Sequence, residues 1–219
     1  MLPRLPALLL LFSLGLVSAD TYTPNYQACL PPHDNYTFCN TALSVDERVD
    51  ALIKLLTRAE KIAMISPNPK LGSTCNDHTS GVDRLGVPQW MWLTETNTGV
   101  NSACMAKDRC ATTFSGPMGM AASFNRSSWR AKGSVMGTEM RALTNAHWHR
   151  DAGVAAKALI GVTGFGPNIN QQRDPRFGRS SELPGEDPFV AGTYAAEMML
   201  GMQEQDAAGH PKMLAYLKQ

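Results

Sequence analysis

The sequence is organised around one stretch, Gly164-Phe-Gly-Pro-Asn-Ile-Asn-Gln-Gln-Arg-Asp-Pro-Arg-Phe-Gly-Arg-Ser-Ser-Glu-Leu-Pro-Gly-Glu-Asp-Pro188. The apolar run 158–162 precedes it, and a helical pattern over residues 189–203 follows it. This order predicts a strand, a long polar loop and a helix. Proteins of the α/β class keep many functional groups in loops at the carboxyl ends of strands. We therefore expect a functional loop here.

The loop is dense in charged side chains. Arginine forms strong and directional hydrogen bonds, which suits either of two roles. The loop could grip the hydroxyl groups of a sugar, or salt bridges could hold it in one shape, and composition alone favours the second role. The charged residues are Arg173, Asp174, Arg176, Arg179, Glu182 and Glu186.

Length and charge limit the protein classes to consider. The chain has 219 residues, enough for one domain with a sizeable core. Its formal net charge of +1 gives no indication of binding to nucleic acid or to an anionic membrane. We therefore predict neither of these partners.

The amino terminus has the pattern of a secretory signal peptide. Arg4 precedes a mostly apolar run over residues 7–17, and Val17-Ser-Ala19 fits a small-residue cleavage site. A buried apolar helix is the alternative, and the run is short for a membrane span. We predict that residues 1–19 are a signal peptide and that the mature protein is secreted and extracellular.

The next segment, 20–43, is rich in proline and is predicted to be an extended amino-terminal arm that leads into a domain over residues 44–219. The sequons at Asn35 and Asn125 are candidate N-glycosylation sites, in agreement with secretion.

Five cysteines fit an oxidising compartment. Proximity along the chain favours disulfides between Cys29 and Cys39 and between Cys104 and Cys110, and it leaves Cys75 over. Their spacing lacks the paired short knuckles of a zinc site. His147-Trp-His149 has no obvious third ligand nearby, so a helix-end or packing role is favoured there. No metal or organic cofactor is predicted.

Helices and strands alternate along the predicted domain, which favours a mostly parallel sheet flanked by helices. Ser44 and Glu47 form a capping box that starts the first helix, and Asp187 and Pro188 suit the start of the last one. Glu95 follows directly after a short aromatic strand. The predicted elements are a helix over 44–64, a strand over 89–93, a helix over 128–146, a strand over 158–162, a helix over 189–203 and a strand over 212–219.

The central stretch resembles glycoside hydrolase family 3. Gly166-Pro-Asn-Ile-Asn170, Arg173-Asp-Pro-Arg-Phe-Gly-Arg179 and Glu182-Leu-Pro-Gly-Glu-Asp-Pro188 are similar to the family patterns G-P-N-x-N, R-D-P-R-W-G-R and E-x-P-G-E-D-P. The segments 111–117 and 121–125 also resemble the family. The resemblance extends from about Cys39 to Lys218.

The resemblance implies a TIM-type (β/α)8 barrel, of which residues 44–219 would form roughly the first half. It also implies hydrolysis of β-linked sugars with retained configuration, which uses two carboxyl groups about 5–5.5 Å apart. The implied partners are β-linked oligosaccharides or aryl glycosides. No cofactor is implied.

The resemblance also assigns binding residues. Glu95, Arg179 and Lys218 match the family residues that hold the sugar next to the scissile bond, and Glu182 matches a residue close behind them. At positions 97 and 98 the family often has Leu and His, whereas this chain has Asn97 and Thr98.

The family nucleophile is an aspartate in a Ser-Asp-Trp-like motif, which the 219 residues do not contain. The acid/base comes from a later region of the family. We therefore expect that this chain contains no catalytic residue and does not hydrolyse glycosides by itself, as for a fragment of a family 3 enzyme. A secreted carbohydrate-binding protein without catalysis is the alternative, and a structural remnant without ligand is a third.

Among substrates, xylo-oligosaccharides are favoured, as for a β-xylosidase that acts on xylan or arabinoxylan. The sequence resembles the xylosidase branch of the family in two respects. It has a glutamate, Glu95, rather than an aspartate at this position, and its segments around Cys39, Cys104 and Cys110 are similar to that branch. The extra methylene of a glutamate would crowd the hydroxymethyl group of a hexose, which a pentose lacks. A β-glucosidase is the other family activity considered.

Overall fold

A computed structural model describes residues 28–66, 78–100, 104–106, 109–148 and 161–218. The predicted signal peptide, Cys75 and His149 lie outside these ranges. The helices are α1 Val45–Leu55, α2 Arg58–Met64, α3 Pro117–Ala121, α4 Arg126–Trp148 and α5 Pro188–Met202, and short 3-10 helices cover Thr37–Cys39, Asp83–Leu85 and Ser180–Glu182. The strands are β1 His78–Thr79, β2 Trp90–Met91, β3 Thr94–Glu95, β4 Cys104–Ala106, β5 Arg109–Cys110, β6 Thr163–Asn168 and β7 Leu214–Lys218.

The predicted helix over 44–64 is wrong, because the segment forms two helices. Ser44 and Glu47 make the predicted capping box at the start of α1. Leu56 then has an extended backbone, and Thr57 and Glu60 make a second capping box that starts α2. The second box has the same Ser/Thr-x-x-Glu signature as the first. It satisfies the free amides of a new helix and so competes with continuing the first one.

The apolar face of α1, which the spacing of Val45, Val49, Leu52 and Ile53 predicts, packs only in part. The side chains of Val45, Val49 and Ile53 are exposed. Ala51 and Leu52 pack against a small cluster of buried side chains, formed by Phe38, Leu56, Val82 and Leu85. Residues 28–43 turn repeatedly rather than running extended, and the disulfide between Cys29 and Cys39 closes this segment.

Three parallel strands form the main sheet in the order β3, β6, β7. Helix α4 connects β3 to β6 along the chain, and α5 connects β6 to β7. This arrangement is an α/β fold, as predicted. In the register, Glu95 lies opposite Phe165, and Asn168 lies opposite Lys218. The carboxyl ends of the three strands therefore meet at one edge.

Two of the predicted strands differ from the observed ones, and residues 158–160 of the strand predicted over 158–162 lie outside the described residues. Within 89–93, residues 90–91 pair antiparallel with β1, and the sheet strand is instead Thr94–Glu95. β6 begins at Thr163, so the first residues of the predicted loop are a strand. Glycine is a weak strand former, but a Cβ at Gly166 would lie 2.7 Å from the Thr96 hydroxyl. Close contact between neighbouring strands therefore requires glycine here. The predicted last strand is confirmed as β7.

The core lies between the sheet and the crossing of α4 with α5. Helix α5 begins as predicted, with the Asp187 side chain accepting a hydrogen bond from the Val190 amide at 2.7 Å. On α4, Val135 is exposed, although its spacing from Trp129 and Met140 predicts that it shares one buried face with them. The large apolar side chains that the two helices bury in this core are Trp129, Met136, Met140 and Leu143 on α4 and Tyr194, Met198 and Met202 on α5.

Glycines allow α4 and α5 to approach closely. An added Cβ at Gly137 would overlap the carbonyl oxygen of Met202, and one at Gly201 would overlap that of Arg130. The methionines fill the space around the crossing, as predicted for flexible core side chains. Over the described ranges, no helix is long and apolar enough to cross a membrane.

Candidate functional site

Charged side chains from two outer strands meet at the carboxyl edge of the sheet. Glu95 ends β3, and Lys218 ends β7. One carboxylate oxygen of Glu95 accepts hydrogen bonds from the backbone amides of Thr96 and Asn97, both at 3.1 Å. The other oxygen lies 3.0 Å from the Lys218 ammonium nitrogen. The backbone therefore fixes the orientation of Glu95, and its second oxygen faces the open edge beside Lys218.

A second ion pair comes from the loop after β6. The Arg179 guanidinium forms two hydrogen bonds to Glu182, each 2.6 Å long. One oxygen of Glu182 also accepts from the amide groups of Asn168 at 3.0 Å and Asn97 at 3.2 Å. Asn168 is fully buried at the end of β6. These amides anchor the Arg179–Glu182 pair to two strands of the sheet.

Electrostatics keeps the Arg179–Glu182 pair ionised. The hydrogen bonds from Arg179 lower the pKa of Glu182, and the more distant charge of Lys218 lowers it further. Glu182 in turn raises the pKa of Arg179, with a smaller contribution from Glu95. The edge thus holds fixed donors and acceptors, which are the groups that bind hydroxyl groups.

The structure brings together the four side chains predicted to bind substrate. Glu95 contacts Lys218, Arg179 contacts Glu182, and Asn97 joins the two pairs because it contacts both carboxylates. Their contacts are seen directly, whereas their role as sugar ligands stays a prediction.

The remaining charged residues of the loop hold it in one shape instead of contributing to the site. Arg176 pairs with Asp174 at 2.6 Å and is 89% exposed, so this ion pair makes no contact with the site. Arg173 donates to the Asn170 side chain at 2.9 Å. The backbone carbonyl of Glu186 accepts from Gln171. The loop therefore combines both roles at different residues.

Sequence reasoning missed three side chains that support the site: Asn97, Lys132 and Asn168. Asn168 lies inside the G-P-N-x-N motif, which could have indicated it. Asn97 departs from the family pattern, so the resemblance does not indicate its role. Lys132 is a buried lysine of α4 that donates to the carbonyl of Asn97, and no local motif marks it.

The cysteine predictions are met in part. The disulfide between Cys29 and Cys39 is confirmed. Cys110 is disulfide-bonded, and Cys104 lies directly opposite it in the β4–β5 ladder, in agreement with the second predicted pair. Asn35 and Asn125 are exposed, and their glycosylation stays a prediction. In the part of the chain that the structure describes, no group of three or more His, Cys, Asp or Glu residues could hold a metal ion.

The sequence is similar to those of plant β-xylosidases. It is 38% identical over 213 residues to "Beta-xylosidase/alpha-L-arabinofuranosidase 2" of Medicago sativa subsp. varia, covering 93% of this chain and 24% of that protein. It is 38% identical over 182 residues to "Beta-D-xylosidase 3" of Arabidopsis thaliana, covering 81% of this chain and 21% of that protein. No family model matches the chain.

Solved structures give the same result. A GH3 exo-β-xylosidase in complex with a xylobiose aziridine activity-based probe matches with a TM-score of 0.66 and 27% identity, over 90% of this chain and 24% of that one. The fold and its charged edge thus define an α/β protein with a polar site at the ends of its strands. The chain belongs to glycoside hydrolase family 3. It spans between a fifth and a quarter of the length of these relatives.

Proposed function

We propose that these residues form the sugar-binding part of a secreted retaining glycoside hydrolase that acts on β-linked xylo-oligosaccharides. The observation that carries the proposal is the network of Glu95, Lys218, Arg179 and Glu182 at the carboxyl edge of the sheet. Similarity to β-xylosidases supports the substrate class. The parallel order β3, β6, β7 supports a place within a (β/α)8 barrel.

The proposed roles follow from the hydrogen bonds. Sugar hydroxyls both donate and accept, so a carboxylate and a cation side by side can bind neighbouring hydroxyls. In our proposal Glu95 accepts from one hydroxyl, and Lys218 and Arg179 donate to others. Such bonds can tighten as charge develops on the sugar in the transition state.

Catalysis requires residues beyond this network. The nucleophile motif of the family does not occur in the 219 residues. The function proposed for these residues is therefore binding and orientation of the sugar. A secreted protein that binds carbohydrate without turnover is the second candidate, and the same observation favours it.

The binding proposal is tested by titrating the purified protein with methyl β-xyloside and xylobiose, using calorimetry or NMR. We expect Glu95→Gln and Lys218→Met each to weaken binding about tenfold or more, since each removes a charge-assisted hydrogen bond. Arg176→Ala is the matched control, because it removes an exposed charge of the neighbouring loop that makes no contact with the site. Equal affinity in all variants, or no binding by the wild type, would refute the proposal.

Substrate preference needs a comparison of sugars. We expect methyl β-glucoside to bind more weakly than methyl β-xyloside, and Glu95→Asp to reduce this difference because the shorter side chain leaves room for a hydroxymethyl group. A wild-type preference for the glucoside would overturn the xyloside assignment.

Secretion and turnover are tested on the native protein. The Cys29–Cys39 disulfide supports an oxidising compartment. The intact mass of the extracellular protein after removal of N-glycans separates the two candidates. A mass far above 23.8 kDa together with hydrolysis of an aryl xyloside would support the enzyme. A mass that fits residues 20–219 with binding but no turnover would support the carbohydrate-binding protein, and absence from the medium would refute secretion.

A further inference from the structure

Lys132 is buried in an unusual setting. Its side chain lies on α4 and the residue is only 1% exposed. The ammonium nitrogen donates to the carbonyl oxygens of Asn97 at 2.6 Å and Ser115 at 3.0 Å, and it lies 5.9 Å from the centre of the Phe114 ring. Within the described ranges no carboxylate forms an ion pair with it. Burial lowers the pKa of Lys132 to about 8, because the charged form is poorly solvated.

Asn97 connects this lysine to the candidate site. Its carbonyl accepts from Lys132, its backbone amide donates to Glu95, and its side-chain amide donates to Glu182. The residue is only 7% exposed. One buried residue therefore touches the helix and both carboxylates of the edge. A leucine, which the resembled family often has at this position, could not make the side-chain bond.

The geometry gives each contact a separate effect. The bond from Lys132 fixes the plane of the peptide that follows Asn97 and holds the segment after β3 against α4. With the segment held, the amide of Asn97 faces Glu95 while its side chain reaches Glu182. The relative position of Glu95 and the Arg179–Glu182 pair therefore depends on where Lys132 holds this segment.

We propose that Lys132 and Asn97 are positioning residues, which together set the spacing between Glu95 and the Arg179–Glu182 pair for sugar binding. This inference rests on the proposed function and adds specific support residues to it. Neither residue contacts the sugar in this proposal. Both act through the orientation of Glu95 and Glu182.

The test compares Asn97→Leu, Lys132→Met and the double variant with the wild type. The affinity for methyl β-xyloside is measured at a temperature at which circular dichroism shows each variant to be folded. We expect each single variant to weaken binding about tenfold, and the double variant to bind about as weakly as either one, because both changes break the same connection.

Thr144→Val is the matched control. Thr144 is another buried polar residue of α4 that donates to a backbone carbonyl, that of Gly161, which precedes β6 and lies away from the carboxyl edge. We expect this variant to lower the melting temperature without a change in affinity. Unchanged affinity in Asn97→Leu and Lys132→Met, with lowered melting temperatures alone, would overturn the proposal. Strictly additive losses in the double variant would also contradict it.

A second readout needs no sugar. Carboxyl carbon NMR follows the titration of Glu182, and we expect the midpoint to rise in Asn97→Leu because one hydrogen bond to the ionised form is lost. If the wild type binds no xyloside, the proposed function fails. If the titration midpoint of Glu182 is the same in Asn97→Leu as in the wild type, the connection from Asn97 to Glu182 is absent and the positioning role fails. If Lys132→Met does not fold, Asn97→Leu decides both questions.

Discussion

Glu182 is the most heavily hydrogen-bonded carboxylate of the candidate site. Arg179 contributes two bonds, and the amides of Asn97 and Asn168 contribute one each. Glu95, by contrast, keeps one oxygen beside Lys218 at the open edge, and its side chain is 40% exposed. The two glutamates therefore suit different tasks. Glu95 is placed to contact a ligand, and Glu182 is placed to orient Arg179.

This difference predicts the effect of Glu182→Gln. The variant removes the charge that Arg179 pairs with and replaces an acceptor oxygen by a donor. We expect xyloside affinity to fall about tenfold, since the guanidinium loses its fixed orientation. Calorimetric titration measures the change. Glu186→Gln, in the same loop and exposed, should bind as the wild type does, and equal losses in the two variants would contradict the assignment.

The site residues that the sequence predicts are those that belong to ordered motifs. Arg179 and Glu182 stand in family-like motifs of the central loop, and the resemblance also assigns Glu95 and Lys218, which end β3 and β7. Lys132 could not be predicted, because its partner Asn97 lies 35 positions away and no local pattern links them. Contacts of this kind arise only when the helix packs on the sheet.

Among the elements, α2 is held to the following 3-10 turn by one ion pair. Arg84 donates to Glu60 at 2.6 Å, and these hydrogen bonds lower the pKa of Glu60 to about 2. The same carboxylate completes the capping box with Thr57. A single side chain thus starts the helix and attaches it.

The lowered pKa sets a pH window for stability. A depressed carboxylate contributes stability above its ordinary pKa of 4.5, and this contribution is lost as the pH falls towards about 2. We expect Glu60→Gln to melt at a lower temperature than the wild type at pH 7, and the difference to shrink between pH 4 and pH 2. Thermal melts followed by circular dichroism measure this. A difference independent of pH would show that the charge of Glu60 does not stabilise the fold.

The crossing of α4 and α5 makes two glycines behave in opposite ways. Gly137→Ala places a Cβ against the Met202 carbonyl, so we expect a loss of about 1–3 kcal/mol in the free energy of unfolding. Gly192→Ala on α5 meets no atom within 4 Å, and we expect a gain of about 0.5–1 kcal/mol from helix propensity. Urea denaturation measures both. A change of the same sign in the two variants would contradict the close crossing.

Helices with clear end signals are predicted best. Asp187 and Pro188 start α5 where the sequence places it. Most of β6 lies within the predicted loop, because glycines such as Gly166 are typical of a loop unless a close neighbour requires them in a strand. The break at Leu56 carried a signal in Thr57 and Glu60, but the continuous apolar periodicity on both sides outweighed it. Local patterns therefore predict the type of element better than its limits.

On the scale of the whole molecule, β7 and α5 leave an apolar surface open. The side chains of Leu214, Tyr216 and Leu217 are substantially exposed. Of these three, Leu217 borders a groove of about 680 Å³, which is lined mainly by small residues of α5 such as Ala191 and Ala195. Unpaired strand edges next to apolar surface favour association.

We therefore expect the 219-residue protein to self-associate at micromolar concentrations. Light scattering after size-exclusion chromatography should show a mass that rises with concentration. Leu217→Lys should reduce the association, because a charge on an edge strand opposes pairing. Val45→Lys, which changes an exposed apolar residue of α1, is the control and should have no effect. A monomer at all concentrations would refute the prediction.

The described residues form two separate apolar clusters. The small one surrounds Phe38, Leu56, Val82 and Leu85, and the large one surrounds the crossing of α4 with α5. No residue of α1 is buried. Regions with little buried apolar surface open more often than the rest of a fold. The backbone amides of α1 should therefore exchange with deuterium faster than those of α4. In solution, the region around α1 should open locally while the crossing of α4 with α5 stays folded.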